Sequence, residues 1–170
     1  LVSDWVIPWI DFLRWEFVRL RAYPPGQEYR WAKNAGAPLT PLTKALDKCR
    51  ISFWGQCAAR LKEQEPWEIE TRGEFLDDVS WREIPKEAEL GNLVYTGGWM
   101  GYDAEQDRNL VFPLERFREL ERDGFIGELS SVAFSSHPTF RVGDLLKETA
   151  PRLIARLREL KVDALVFFAM

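Results

Sequence analysis

Histidine occurs once in the 170 residues, as His137, and cysteine twice, as Cys49 and Cys57. With a single imidazole, Ser–His or Cys–His catalysis runs through His137 or does not occur. Two cysteines and one histidine without ligand spacing fall short of a closed zinc site, so neither a metal nor a cofactor is expected. Cys49 and Cys57 stand eight positions apart. On an extended strand, at about 3.3 Å per residue, that is roughly 26 Å, beyond disulfide reach. Two thiols that do not pair suit a reducing compartment. There is no basic excess either: 23 Lys and Arg stand against 27 Asp and Glu, which offers no field for a phosphate backbone, and nucleic acid is not expected. No run of 18 apolar residues offers a transmembrane segment, and the first residues lack the basic leader and unbroken apolar stretch of a signal peptide. A cytoplasmic protein is expected.

What is present is a globular composition, 46% hydrophobic and 29% charged, in a chain long enough for one core and a terminal extension. Eight tryptophans are the surplus. Trp favours interfaces as well as cores, so part of the surface is expected to be covered by another chain, in an oligomer or a complex. Residues 1–44 read as an N-terminal helix and extended arm, and 45–170 as an α/β domain. The helix starts near Ser3 or Asp4 and ends near Tyr23, before Pro24-Pro25-Gly26. It carries Trp5, Trp9 and Trp15, with apolar groups on more than one face. It either packs on its own domain or docks on a protein partner, with a membrane surface ranked last.

Residues 50–57, RISFWGQC, read as the first strand of a buried sheet, opening at Gly55 and Cys57 into a turn or short helix over 57–62. Ligands of open α/β sheets bind beyond the carboxyl ends of the strands, so Cys57 stands at the edge of the expected site. It is either a small core residue or a reactive loop-edge thiol. The acidic stretch around Glu63–Glu70 reads as a solvated loop, and 79–85 as a short strand that Pro85 keeps from the middle of a sheet. A strand near 91–96 empties into a glycine-rich loop holding Thr96, Gly97, Gly98, Trp99, Tyr102 and Asp103, the candidate substrate-binding residues together with Ser136 and His137. That loop lacks both phosphate-binding spacings; Trp99 and Tyr102 suit an apolar or cationic group. Asp107 and Asn109 read as turn-formers. Pro113 opens a helix that Gly124 ends, 131–136 alternates as a strand, and a helix near 149–161 leads to VDALVFFAM, an unbroken apolar run read as a strand buried on both faces. The expected fold is a three-layer, Rossmann-like or flavodoxin-like α/β domain with a mostly parallel sheet from strands near 50–56, 91–96, 131–136 and 163–169.

Five ordered blocks resemble one family: Cys49-Arg50-Ile51; Arg72-Gly73 with Trp81-Arg82-Glu83-Ile84-Pro85; residues 103–113, DAEQDRNLVFP; Ile126-Gly127-Glu128-Leu129; and residues 145–151, LLKETAP, leading to Val162-Asp163-Ala164. They are similar to the component B proteins of glycine, sarcosine and betaine reductase and to the related D-proline reductase proteins, over about residues 45–170. The resemblance implies thiol- or selenol-dependent reductive cleavage of a carbon–nitrogen bond in a small amine acid of the glycine, sarcosine, betaine or D-proline type. It puts the family's selenocysteine or cysteine beyond Met170, its histidine at Thr96 and its Tyr-Asp pair at Trp99-Met100, with Tyr102-Asp103 able to restore the pair by a local shift. Two functions follow as expectations: a component-B-like reductase, or a repurposed member that binds a partner within a complex.

Overall fold

The computed structural model describes residues 40–67, 70, 78–95, 106–139 and 141–169. The tryptophan-rich stretch expected as an N-terminal helix, and the expected arm up to residue 39, lie outside them. A 3-10 turn, Leu46–Lys48, leads into strand β1, Arg50–Gln56, which is buried without interruption from Ile51 to Gly55. Alternation is missing because both faces are covered. Phe53 packs into the main core, 4.5 Å from the Phe117 ring and 4.8 Å from Phe112. Trp54, one residue on, points to the other face, stacked on Phe134 at 6.1 Å with its indole N–H donated to Ser136 Oγ at 2.8 Å.

Beyond Cys57 the chain forms a second strand, β2, Ala59–Leu61, where a turn or helix was expected. Ala58 makes the change of direction at φ 52°. After β3, Trp81–Pro85, comes β4, Leu93–Tyr95, which pairs antiparallel with β2 in a separate two-stranded sheet. The strand expected near 91–96 is therefore not part of the parallel sheet. Three apolar residues in a row carry no sign of which partner they take, and here the short β2 takes them.

The main sheet is completed by β5, Glu128–Leu129, β6, Val132–Ser136, and β7, Ala164–Ala169. β5 and β6 lie on one side of β1 and β7 on the other, all parallel to it; β3 runs antiparallel on the outside of β6. Pro85 ends β3 on that edge, where a missing N–H does no harm. Six residues from Leu129 to Phe134 face four from Ile51 to Trp54, so two extra residues bulge at Ser130-Ser131. The bulge lets Lys86 N–H reach the Ser131 carbonyl at 2.8 Å and leaves Ser130 Oγ buried without a partner in the protein.

Helix α1, Leu114–Arg122, starts at Pro113 and stops before Gly124, at φ 75°. Asp107 accepts from Asn109 N–H, and Asn109 in turn accepts from Glu115 N–H and donates to its carboxylate at 2.8 Å, the turn-forming role expected of both. Phe117 sets α1 on the Phe53 face. A short turn α2, Val142–Asp144, runs through a π turn, Leu145–Thr149, into α3, Ala150–Glu159. Helix α3 lies on the Trp54 face, held by a two-pronged Arg156–Glu83 bond at 2.8 and 2.9 Å and by Arg152 4.9 Å over the Trp81 ring. The architecture is mixed α/β with a mostly parallel central sheet and few helices. One expectation fails at β7. Val166 and Phe167 are 42% and 57% exposed, because β1 alone, among the described residues, pairs with this strand.

Candidate functional site

Parallel strands β1 and β6 end side by side, in a register of Trp54 with Phe134 and Gly55 with Ser135 that brings Cys57 level with His137. Ala58 N–H closes the pair on Ser136 O at 2.9 Å. Cys57, Ser136 and His137, foreseen from the sequence, are thus brought to one strand end, and all three are buried. Thr96, Gly97, Gly98, Trp99, Tyr102 and Asp103 lie outside the described residues. Their stretch follows Tyr95, which pairs with Ala59 two residues beyond Cys57.

Cys57 Sγ lies 3.7 Å from Ser135 Oγ. Burial pushes the thiol up to about 11, and the Ala59 N–H and Ser135 hydroxyl, which favour the thiolate, do not offset it. A Cβ on Gly55 would sit 3.0 Å from that sulfur and 2.9 Å from the Phe168 ring, so a larger residue there would have to push the ring or the thiol aside. Both cysteines are free thiols; Cys49 donates to the Ala45 carbonyl at 3.3 Å. Tyr95, whose hydroxyl donates to Arg108 O at 3.4 Å, is also pushed up, by burial first and by the Cys57 charge second, with Arg108 opposing. Thiol and phenol therefore both stay protonated at neutral pH.

His137 Nδ1 is 2.8 Å from the Pro138 carbonyl. A carbonyl only accepts, so Nδ1 carries a proton and donates it to Pro138 O. The imidazole lies 6.3 Å from the fully buried Trp67 ring, whose N–H is donated to Ala58 O at 2.9 Å and whose face carries Arg82 at 4.2 Å. Arg60 grips Glu70 with two bonds, 2.9 and 2.6 Å, and Glu70 accepts from Trp67 N–H at 2.9 Å. The carboxylate holds the Arg60 guanidinium charged against the cost of burial. Glu70, within the acidic stretch expected as a solvated loop, is thereby tied to the strand end, while Glu63 and Glu65 are exposed as that reading expects.

Tyr95, Trp67 and the Arg60–Glu70 pair are the parts of this site that sequence reasoning missed; Ser135, in the strand expected at 131–136, lies on the side of Cys57 by alternation along β6. No period links Arg60 to Glu70. The strand end thus carries the Cys57 thiol beside the Ser135 hydroxyl on one face of the sheet, and on the other face the Ser136 hydroxyl, which accepts the Trp54 indole N–H. At the opposite end of the sheet, a cleft lined by Lys44, Lys48, Arg50, Glu128, Lys161 and Asp163 is largely self-paired, through Lys44–Asp163 and Arg50–Glu128 at 2.7 Å each.

No family model and no solved structure matches the chain. Among curated proteins it is similar to D-proline reductase subunit gamma of Acetoanaerobium sticklandii, 29% identical over 136 residues that take in 76% of this chain and 52% of that subunit. The chain spans about half the length of the curated relative it matches. No helix among the described residues is long and apolar enough to cross a membrane.

Proposed function

We propose that this chain is a subunit, or part of one, of a reductase of the D-proline reductase kind, serving the reductive cleavage of a carbon–nitrogen bond in a small amine acid of the D-proline, glycine, sarcosine or betaine type. The observation that carries the reading is the similarity to D-proline reductase subunit gamma over 76% of the chain. The reading takes the substrate to sit beyond the carboxyl ends of β1 and β6, where α/β sheets bind ligands, with Ser135, Ser136 and His137 as the polar groups nearest it. Cys57 forms the wall of that site. With its thiol near 11, about one molecule in ten thousand carries the thiolate at pH 7, too few for the attacking group. The nucleophile of the reaction comes from the position that the resemblance puts beyond Met170.

Calorimetric titration of the chain with D-proline, glycine and betaine tests this. Saturable binding of one of them, weakened about tenfold or more by His137→Ala or Ser136→Ala, is the expected result. A folded chain that binds none of the three withdraws the amine-acid site. The second reading, a subunit that binds a protein partner without a catalytic group of its own, is favoured by the protonated, buried state of Cys57 and gains from that negative result.

A further inference from the structure

We propose that the cleft at the amino ends of β1, β5 and β7 binds a small oxyanion, the phosphate or carboxylate group of a small molecule, on the ammonium groups of Lys48 and Lys161. This cleft lies at the opposite end of the sheet from Cys57 and His137, and the inference does not rest on the reductase reading.

The cleft has a volume of about 440 Å³, inside the range of small-molecule pockets, roughly 300–1,000 Å³. Its floor is a closed set of bonds. The Asp163 carboxylate accepts from Arg50 N–H and from Lys44 Nζ, both at 2.7 Å, and Asp163 N–H is donated to Arg50 O at 2.8 Å. The Arg50 guanidinium is divided between Glu128, at 2.7 and 2.9 Å, and the Leu160 carbonyl at 2.8 Å. Gly127 N–H reaches Leu46 O and Cys49 O, which fixes the turn carrying Lys48. In all, four cationic side chains face three carboxylates across the cleft. Two of each are matched in these pairs. The side chains of Lys48, Lys161 and Asp47 have no partner among the described residues, so the cleft keeps one net positive charge. Because the floor is already formed, an anion entering the cleft reorganises little, and the cost of binding is correspondingly small. With Arg50 committed to Glu128, the free donors are lysines, which hold phosphate or carboxylate as point charges.

The backbone of Lys161 is a separate observation that points the same way. Helices α1 and α3 end alike. In α1, Gly124 N–H bonds to Glu121 O and Phe125 N–H to Leu120 O, with Gly124 at φ 75°. In α3, Lys161 N–H bonds to Arg158 O and Val162 N–H to Leu157 O, with Lys161 at φ 55°. Glycine is the ordinary residue at this position, since a Cβ is crowded there. The helix end does not need a lysine charge: the turn itself satisfies the Leu157 and Arg158 carbonyls, and Arg50 satisfies that of Leu160. What lysine supplies and glycine would not is an ammonium group on the cleft.

The test follows backbone amide shifts by NMR while phosphate, and in a second arm succinate, replaces chloride at constant ionic strength. The expected result is a saturable shift of the Lys48, Glu128 and Lys161 amides. Saturation by phosphate makes the ligand a phosphate compound and saturation by succinate alone a carboxylate; either supports the site. Lys161→Gly should weaken binding about tenfold, the scale of one lost hydrogen bond to a charged group, while holding or raising the urea midpoint, because glycine suits the turn. Lys48→Gln should weaken binding to a similar degree, and Lys147→Gln, on another element, should not. Shifts that rise linearly without saturation, or that chloride alone reproduces, overturn the proposal, as does unchanged binding in Lys161→Gly and Lys48→Gln. None of these variants touches the carboxyl ends of β1 and β6, so failure here leaves the reductase reading as it stands.

Discussion

At the scale of single residues, Cys57 and Gly127 make the sharpest claims. The Cys57 thiol is raised from an ordinary value of 9.0 to about 11, so the native state holds its proton more tightly than the unfolded chain does. The stability this contributes is fully present below pH 9 and is lost as pH rises through about 11. Between pH 8.5 and 10.5 the parent protein should lose about 2 kcal/mol more than Cys57→Ser in urea titrations, since each tenfold difference in proton affinity between the two states is worth about 1.4 kcal/mol. Equal slopes for the two proteins would place the thiol in a wetter setting than the structure gives it. Gly127 is tighter. A Cβ there would stand 2.7 and 2.8 Å from the Lys48 backbone and 2.9 Å from Cys49 N, none of them the end of a flexible side chain. Gly127→Ala should cost about 2–3 kcal/mol, read as a lower midpoint in the same titration, through a forced separation of the Lys48 turn from the start of β5.

At the scale of elements, two ion pairs of similar geometry differ in consequence. Arg60–Glu70 ties the segment after β2 to Trp67 and leaves the arginine side chain only 10% exposed. Arg156–Glu83 joins α3 to β3 with side chains 36% and 31% exposed. Removing one partner strands the other charge, and the cost grows with how far that charge is from water. Glu70→Ala should therefore destabilise by about 2 kcal/mol and loosen Trp67, visible as a shift of tryptophan emission, whereas Glu83→Ala should cost less than about 1 kcal/mol, the part that salt also removes. If the two variants proved equal, the segment at Trp67 would not be anchored by Glu70.

At the scale of the whole molecule, the two edges of the sheet differ in composition. β3 ends in Pro85 and, among the described residues, pairs only with β6, while β7 offers Phe167 and Val166 to solvent. Phe167 meets the Trp54 ring at 6.3 Å but is 57% exposed, so Phe167→Lys should cost less than about 1 kcal/mol in urea titration. It should also raise the concentration at which the free chain stays monodisperse in light scattering. A loss of several kcal/mol would mean instead that Phe167 is already covered.

Much of this was legible in the sequence because burial and period write it there. The unbroken apolar run of β1, the turn chemistry of Asp107 and Asn109, the Pro113 start and Gly124 stop of α1, and the limits of β6 and α3 each follow from residues close in the chain. That Cys57, Ser136 and His137 would lie close together could be expected because all three fall at the carboxyl ends of strands read as parallel. What the sequence could not decide was which strand each short apolar run would pair with: β4 went to β2 rather than to the parallel sheet, and β7, composed like an interior strand, stands at an edge. Nor could it decide that Cys57 would be dry enough to hold its proton, or that Arg60 and Glu70 would meet. Pairing, burial and charge contacts between distant segments arise only when the chain closes on itself, so these outcomes belong to the tertiary structure.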